Sequence, residues 1–284
     1  MEWGGKWLKR LLVGGPTAML VVLFLFPLAS LVLFSFYVHV SGQGLYKPVF
    51  TLDNYAKALQ SFYLLRLWFT VWFAALTAAI AAVLAVPFTY VIVRLRSATL
   101  RKWVMGLTVS TLWLTTVVRA FGWSVLLSRT AGVGKWLAEL GFLSVPQNYA
   151  PGFAATLIGM VYIYFPFMVL SVYAALREMN PELEEASLSL GATPARTFLN
   201  VVLPLSMDAI KTGAAFVFLL TVGTFIIPDI LGQPPQWNSA VLITNSVAYN
   251  SNIPFGATLS IVLALGVGLL LVALARLFPT RRRT

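Results

Sequence analysis

The sequence contains no cysteine. That excludes disulfides, thiolate metal sites and cysteine nucleophiles. Histidine occurs once, at His39, so no second imidazole exists to complete a histidine metal site. Charge is scarce: Asp, Glu, Lys and Arg make up 10% of the 284 residues, against roughly 25% in a soluble domain. Acidic residues are the scarcest, nine against twenty basic ones. No glycine-rich phosphate loop ending in Lys-Ser or Lys-Thr occurs, so any ATP must be bound by another chain. No Ser/His or His/Asp constellation and no metal-ligand spacing suggests a membrane protease or transferase. No catalytic residue and no metal ligand are assigned. Low-complexity segments, soluble linkers and internal repeats are also missing.

What is present is apolar: 59% hydrophobic residues and a mean hydropathy of +0.85. The few charges are clumped. None occurs between Arg10 and Lys47, Arg66 and Arg94, Glu139 and Arg177, Lys211 and Asp229, or Asp229 and Arg276. A helix needs about 20 apolar residues to cross the hydrocarbon core. The chain is therefore expected to be all-α, one polytopic transmembrane domain over 1–284 with six spans near 17–38, 68–93, 104–127, 152–176, 209–231 and 255–277. Pro27, Pro87 and Pro166 lie inside spans and predict kinks.

Basic residues mark the cytoplasmic side of membrane proteins. With the N-terminus inside, fourteen of the twenty fall in inner segments. These are Lys6, Lys9, Arg10; Arg94, Arg96, Arg101, Lys102; Arg177, Arg196, Lys211; and Arg276 with Arg281–Arg283. Both termini are expected to be cytoplasmic. The net charge of +11 then reflects topology and contact with anionic lipid, not nucleic acid. The N-terminal apolar run is too long for a removable signal and is read as an uncleaved first span. Outside, Ser41-Gly42-Gln43-Gly44 is turn chemistry, and Asp53 is placed to cap a short helix near Leu52–Leu59.

Within or beside the spans, five residues are candidates for a solute pathway: Trp113, Arg119, Tyr162, Tyr164 and Asp229. An arginine in a span must pair, face a cavity or snorkel. Snorkelling to the outer interface is favoured for Arg119, with Trp123 one turn on to shield it. Asp229 suits either a cation contact or a turn cap. The aromatic residues could hold a cation over their rings, or simply form an interfacial belt. His39 is read as an interfacial residue.

The polar insert at about 178–208 is the anomaly. Asn180-Pro181-Glu182 is a helix start, and Glu182, Glu184 and Glu185 suit the positive end of the helix dipole. Leu183, Ala186 or Ser187, and Leu190 form a narrow apolar stripe. Gly191 is placed for a left-handed C-cap. Thr193-Pro194 restarts a second helix, which Leu203-Pro204 is expected to end. Two readings stand: an amphipathic interfacial connector, or a stiff elbow that a partner protein grips.

Glu-Glu-Ala-Ser-Leu-Ser-Leu-Gly-Ala at 184–192, followed by Val-Val-Leu-Pro-Leu at 201–205, resembles the EAA loop of bacterial ABC importer permeases. Glu185, Ala186, Gly191, Leu203 and Pro204 match, and Ser187 replaces the second alanine. Asp208 departs from the glycine often found there and leaves the start of the fifth helix open. Leu52–Tyr55, Arg119–Trp123 and Pro228–Gly232 resemble the spermidine/putrescine-type, PotB-like subfamily. The resemblance implies a type I ABC importer permease fold in the bacterial inner membrane, with a cytoplasmic EAA loop. Glu182, Glu185, Ala186, Ser187, Gly191, Leu203 and Pro204 would be the ATPase-coupling residues. It also implies cytoplasmic ATPase subunits holding ATP and Mg, a second permease subunit (copy or homologue), and a periplasmic substrate-binding protein. Polyamine is the implied solute, with ferric iron, phosphonate or opine as alternatives. An ion-coupled secondary carrier would need ionisable residues at mid-membrane, which this sequence almost lacks.

Overall fold

A computed structural model of the chain describes residues 3–40 and 46–277. The turn expected at Ser41–Gly44 and the basic tail Arg281–Arg283 lie outside the described residues. Among the described residues there are fourteen α-helices and no strand beyond one isolated antiparallel bridge, Val38 with Lys47.

In chain order the helices are α1 (Trp3–Ser35), α2 (Asp53–Ala58), α3 (Ser61–Arg94), α4 (Ala98–Ser110), α5 (Thr116–Leu126), α6 (Val133–Glu139) and α7 (Phe153–Glu178). Then follow α8 (Glu182–Ser189), α9 (Pro194–Thr197), α10 (Leu203–Leu205), α11 (Met207–Gly223), α12 (Ile226–Leu231), α13 (Ser239–Thr244) and α14 (Ile253–Leu277). Long apolar segments of α1, α3, α7 and α14 are each sufficient to cross a bilayer, with 24, 34, 26 and 21 residues. α3 would measure about 50 Å at 1.5 Å per residue, longer than the hydrocarbon core it would cross.

Two further crossings are possible only as bent pairs. The helix Ala98–Trp113 meets α5 at 103°, and Pro194–Leu205 meets α11 at 68°. The sequence reading placed one uninterrupted span at 104–127. The interruption arises from hydroxyl side chains. Ser110 and Thr111 donate back to the carbonyls of Leu107 and Thr108 at 2.9 and 2.7 Å. Leu114 is extended, and Thr115 caps the next helix by accepting from the Val118 amide at 3.4 Å. The run expected at 209–231 is also divided, because Thr224 is extended and ends α11 before α12 begins. Its carbonyl accepts from Asn238 Nδ2 at 2.8 Å, so the break leaves no orphan there.

The Leu203-Pro204 pair does not end its helix. A π turn over Phe198–Val202 precedes it, and the break falls later, at Ser206. Proline cannot donate to the helical ladder and clashes with the carbonyl four residues back. The widened π turn accommodates it.

The chain divides into two compact units. One comprises the residues up to Leu64 with Leu242–Val272. Its centre is Ser35, wholly buried at the end of α1. The Ser35 carbonyl accepts from Asn54 Nδ2 at 3.0 Å and Thr258 Oγ1 at 3.1 Å, and its hydroxyl meets the Tyr55 hydroxyl at 2.7 Å. Buried polar groups must be satisfied in this way. Asp53 does not cap α2, as the sequence suggested; Leu52 occupies the cap position and makes no side-chain cap. Ala58, Phe255 and Leu259 form the local core. Much of α1 leaves its apolar side chains exposed, among them Phe24 and Phe26.

The other unit spans Leu65–Val241 with the residues from Ala273 onward. Its core lies along α7, where Met160, Ile163, Met168, Val169, Val172 and Leu176 are fully buried. α3 contributes a stripe of small buried residues, Ala74, Ala78, Ala81 and Ala85, of the type that lets membrane helices approach closely. α11 closes on α7 at Gly213, where a Cβ would sit 2.6 Å from Met168 Sδ and 2.9 Å from Ser171 Cβ. Beside it, Ser171 Oγ donates to the Ala209 carbonyl at 2.8 Å. Gly213→Val should overpack this seam by about 1–3 kcal/mol. A lower unfolding midpoint of the detergent-solubilised chain checks this, with Gly223→Val, a site open around its Cβ, as the comparison.

Candidate functional site

The insert folds as an elbow of two short helices. Asn180 Oδ1 accepts from the Glu182 amide at 3.1 Å and opens α8. α8 ends in a complete glycine cap. The Gly191 amide donates to Leu188 O at 3.0 Å and the Ala192 amide to Ser187 O at 3.2 Å, with Gly191 at φ +88°. These are the two bonds of the Schellman motif, which favours glycine at the left-handed position. Thr193 caps α9 through the Arg196 amide at 3.3 Å, with Pro194 in the first turn. Ser187 Oγ and Thr197 Oγ1 meet at 3.0 Å and close the elbow. An alanine at 187 could not make this bond.

The inner side of the elbow is fastened to α3. Glu184 is 8% exposed. Its carboxylate pairs with Arg94, which also donates from Nε at 3.1 Å, and accepts from the Tyr90 hydroxyl at 3.1 Å. Phe198 packs on the Tyr90 ring, 5.0 Å between centroids. All three glutamates lie in the first turn of α8, as the sequence suggests, but Glu184 alone of them is buried, and α3 supplies the cation and donors that a buried carboxylate needs. No spacing in the sequence could reveal it, since Glu184 and Arg94 lie 90 positions apart.

The outer side of the elbow is exposed among the described residues. Glu182, Glu185 and Ala186 are exposed, as are Leu183, Leu188 and Leu190, the last at 88%. Leu203 is half-buried and Pro204 exposed, beyond the π turn. α11 starts at Met207 with Asp208 in its first turn.

The pathway candidates divide into those that gather and those that do not. Arg119 is 8% exposed in the first turns of α5. Its Nη1 donates to the Ile163 carbonyl on α7 at 3.4 Å, and its Nε has no hydrogen-bond partner among the described residues. The expected snorkelling is therefore not found: the side chain turns into the helices and is held there by α7. Trp123 meets Tyr162 edge-to-face at 5.4 Å, and the Tyr164 hydroxyl donates to Leu220 O at 3.2 Å. Trp113 stands apart from these rings at 88% exposure in the turn before α5. Asp229 is exposed in the first turn of α12 and forms no ion pair among the described residues. The sequence reading did not single out Trp237, whose buried Nε1 is likewise without a partner among the described residues.

Residues 85–284 match the family described as the binding-protein-dependent transport system inner membrane component. The chain belongs to that family. Among curated relatives, the spermidine/putrescine transport system permease protein PotB of Salmonella typhimurium (strain SL1344) is 31% identical over 226 residues, covering 80% of this chain and 78% of the relative. PotB of Escherichia coli (strain K12) is 30% identical, covering 80% and 82%. The inner membrane ABC transporter permease protein YdcU of Escherichia coli (strain K12) is 32% identical over 209 residues, covering 69% and 66%. Among solved structures, a bacterial ABC transporter involved in the import of the acidic polysaccharide alginate superposes with TM-score 0.77 at 18% identity, covering 96% of both chains. An inward-facing methionine ABC transporter gives 0.56 over 75% of this chain and 93% of its own. The protein is thus a multi-pass inner-membrane permease of an ABC importer, with the type I importer permease fold. It is a transport subunit, and the ATPase of such a system is a separate subunit.

The bridge that fastens the permease's elbow to α3 can be measured directly. Glu184→Gln and Arg94→Gln should each lower stability by about 1–3 kcal/mol. The double variant should cost less than their sum, with a coupling of about 0.5–3 kcal/mol in a double-mutant cycle. Additive losses would show that the two groups do not depend on each other.

Proposed function

We propose that this permease imports a polyamine, spermidine or putrescine, driven by an ATPase that grips the loop at about 178–208. The single observation that carries the coupling part is the two-sided elbow. One side is tied to α3 through Glu184, and the other presents Leu183, Leu188 and Leu190 with Glu182, Glu185 and Ala186 to solvent. A groove on the ATPase would take this exposed face as an amphipathic helix. The Gly191 cap and the Ser187–Thr197 bond keep the elbow stiff, so a push passes to the helices as a rigid-body displacement. ATP and Mg reside on the ATPase, and a periplasmic binding protein delivers the solute. A second permease, copy or homologue, completes the pore. In this reading the chain has six crossings, two of them bent, with both termini and the elbow on the cytoplasmic side.

The polyamine assignment is supported by the PotB relatives. Trp113, Tyr162, Tyr164 and Asp229 are the residues proposed to meet a cation along the passage. A specific observation favours a second reading. Arg119 is a buried cation with an unused donor and no carboxylate partner among the described residues, which suits an anionic solute, a phosphonate or an opine carboxylate, better than a polyamine. Uptake by the complete transporter in proteoliposomes, with its own binding protein, separates the two. Polyamine import predicts ATP-dependent uptake of radiolabelled spermidine that unlabelled putrescine competes away. Failure of spermidine uptake with retained phosphonate or opine uptake would select the second reading.

The coupling part has its own readout. Gly191→Pro removes the amide that bonds Leu188 O and imposes a φ near −65° where the chain needs +88°. It should cut ATP-driven uptake by about tenfold or more, an effect of at least 1.4 kcal/mol on coupling. Pull-down of the ATPase subunit should fall in parallel. Full pull-down and full uptake in this variant would remove the elbow from the mechanism.

A further inference from the structure

α3, α4 and α7 enclose a half-open cavity of about 500 Å³, beside the elbow but distinct from its exposed face. Four cations line it: Arg94, Arg101, Lys102 and Arg177. Only Arg94 is neutralised, by Glu184. Arg101 makes one long bond, Nη1 to the Val93 carbonyl at 3.4 Å. Lys102 and Arg177 make no ion pair or side-chain hydrogen bond among the described residues. Three uncompensated cations around one cavity repel each other unless an anion enters. The remaining lining is Val93, Met105 and Tyr173, two apolar side chains and an amphipathic ring.

The placement narrows the anion. Arg94 is the last residue of α3, and Arg177 lies in the last turn of α7. Arg101 and Lys102 lie in the early turns of α4. Arg94 and Arg177 thus sit where long apolar helices stop, and Arg101 and Lys102 where the next helix opens close by, at the level of lipid headgroups. On the same helices Val91, Trp103 and Leu107 stand exposed, an apolar flank along which an acyl chain can lie. The volume is that of a small-molecule site, larger than one phosphate ion needs. We propose that this cavity binds the headgroup of an anionic phospholipid, its phosphate held by Arg101, Lys102 and Arg177. Arg94 lines the cavity while bridging to Glu184, so the bound headgroup would touch the same side chain that anchors the elbow. The binding itself needs only a bilayer and does not rest on the importer reading.

The test uses the full chain purified in mild detergent from membranes containing phosphatidylglycerol and phosphatidylcholine, with native mass spectrometry counting the retained lipid. The wild type should retain about one phosphatidylglycerol per chain in preference to phosphatidylcholine. Arg101→Gln with Arg177→Gln should reduce that retention by about tenfold, while Arg101→Lys with Arg177→Lys keeps most of it and reports that the fold survives. Lys135→Gln, on the exposed α6, should change nothing. Equal retention of the two lipids, or unchanged retention in the double glutamine variant, would overturn the proposal. So would displacement of the lipid by millimolar inorganic phosphate or glycerol phosphate, which would make the site one for free phosphate. Loss of the lipid on adding the ATPase, with cross-links from the cavity to an acidic segment of that subunit, would reassign it to a protein partner.

Discussion

A carboxylate withdrawn from water at the edge of a membrane is tolerable only when cations and donors surround it. Glu184 finds both on a single helix, Arg94 for charge and Tyr90 for a further hydrogen bond. The consequence is mechanical. α8 cannot shift without carrying the end of α3 or breaking the bridge. Phe198 on the Tyr90 ring adds a second attachment from the other half of the elbow, and Ser187 with Thr197 joins the two halves. The elbow is therefore attached at two points to a 34-residue helix. The apolar stripe alone would give a partner something to hold, but nothing to move.

The interruptions in the apolar runs serve the same design. Composition dictates that these segments lie in lipid, yet hydroxyl side chains dictate where they break. Thr115 restarts a helix inside what reads as one span, and Asn238 satisfies the carbonyl that the break at Thr224 leaves free. Irregular backbone at membrane depth survives only where protein or a water-filled cavity covers it. The first break stands four residues before Arg119, so the departure from regular helix and the buried charge occur together. In α11 the bend comes at Ser206, whose hydroxyl donates to the Val202 carbonyl at 2.7 Å and so costs no unsatisfied group.

What was readable in the sequence was mainly local. The glycine at 191, the cap at Thr193 and the helix start at Asn180 are each encoded within four residues of the structure they produce, and each was visible. The long charge-free runs located α1, α3, α7 and α14 for the same reason. The rest depends on partners distant in sequence. Glu184 looks like any first-turn glutamate until Arg94 is placed beside it. Arg119 looks like a snorkelling arginine until the Ile163 carbonyl of α7 holds it inside. Thr115 did carry a local signal, a threonine preceding a helical run, but the surrounding apolar stretch masked it, since apolar residues on all faces erase the periodicity that marks helix ends. Proline at 204 misled in the opposite direction, because a π turn absorbed it.

Arg94, half-buried, and Arg119, buried, show how differently one residue type is treated within this unit. Arg94 has a carboxylate, two hydrogen bonds to it and the Tyr90 ring at 5.9 Å. Arg119 has a single carbonyl at 3.4 Å and a bare Nε. A guanidinium offers five donors, and an ionised group left so incompletely satisfied in the interior is costly. The first arrangement suits a joint, in which both members are consumed by each other. The second leaves donors unused among the described residues. The incompleteness of Arg119 thus coincides with the break before α5, and the completeness of Arg94 fixes the elbow to α3.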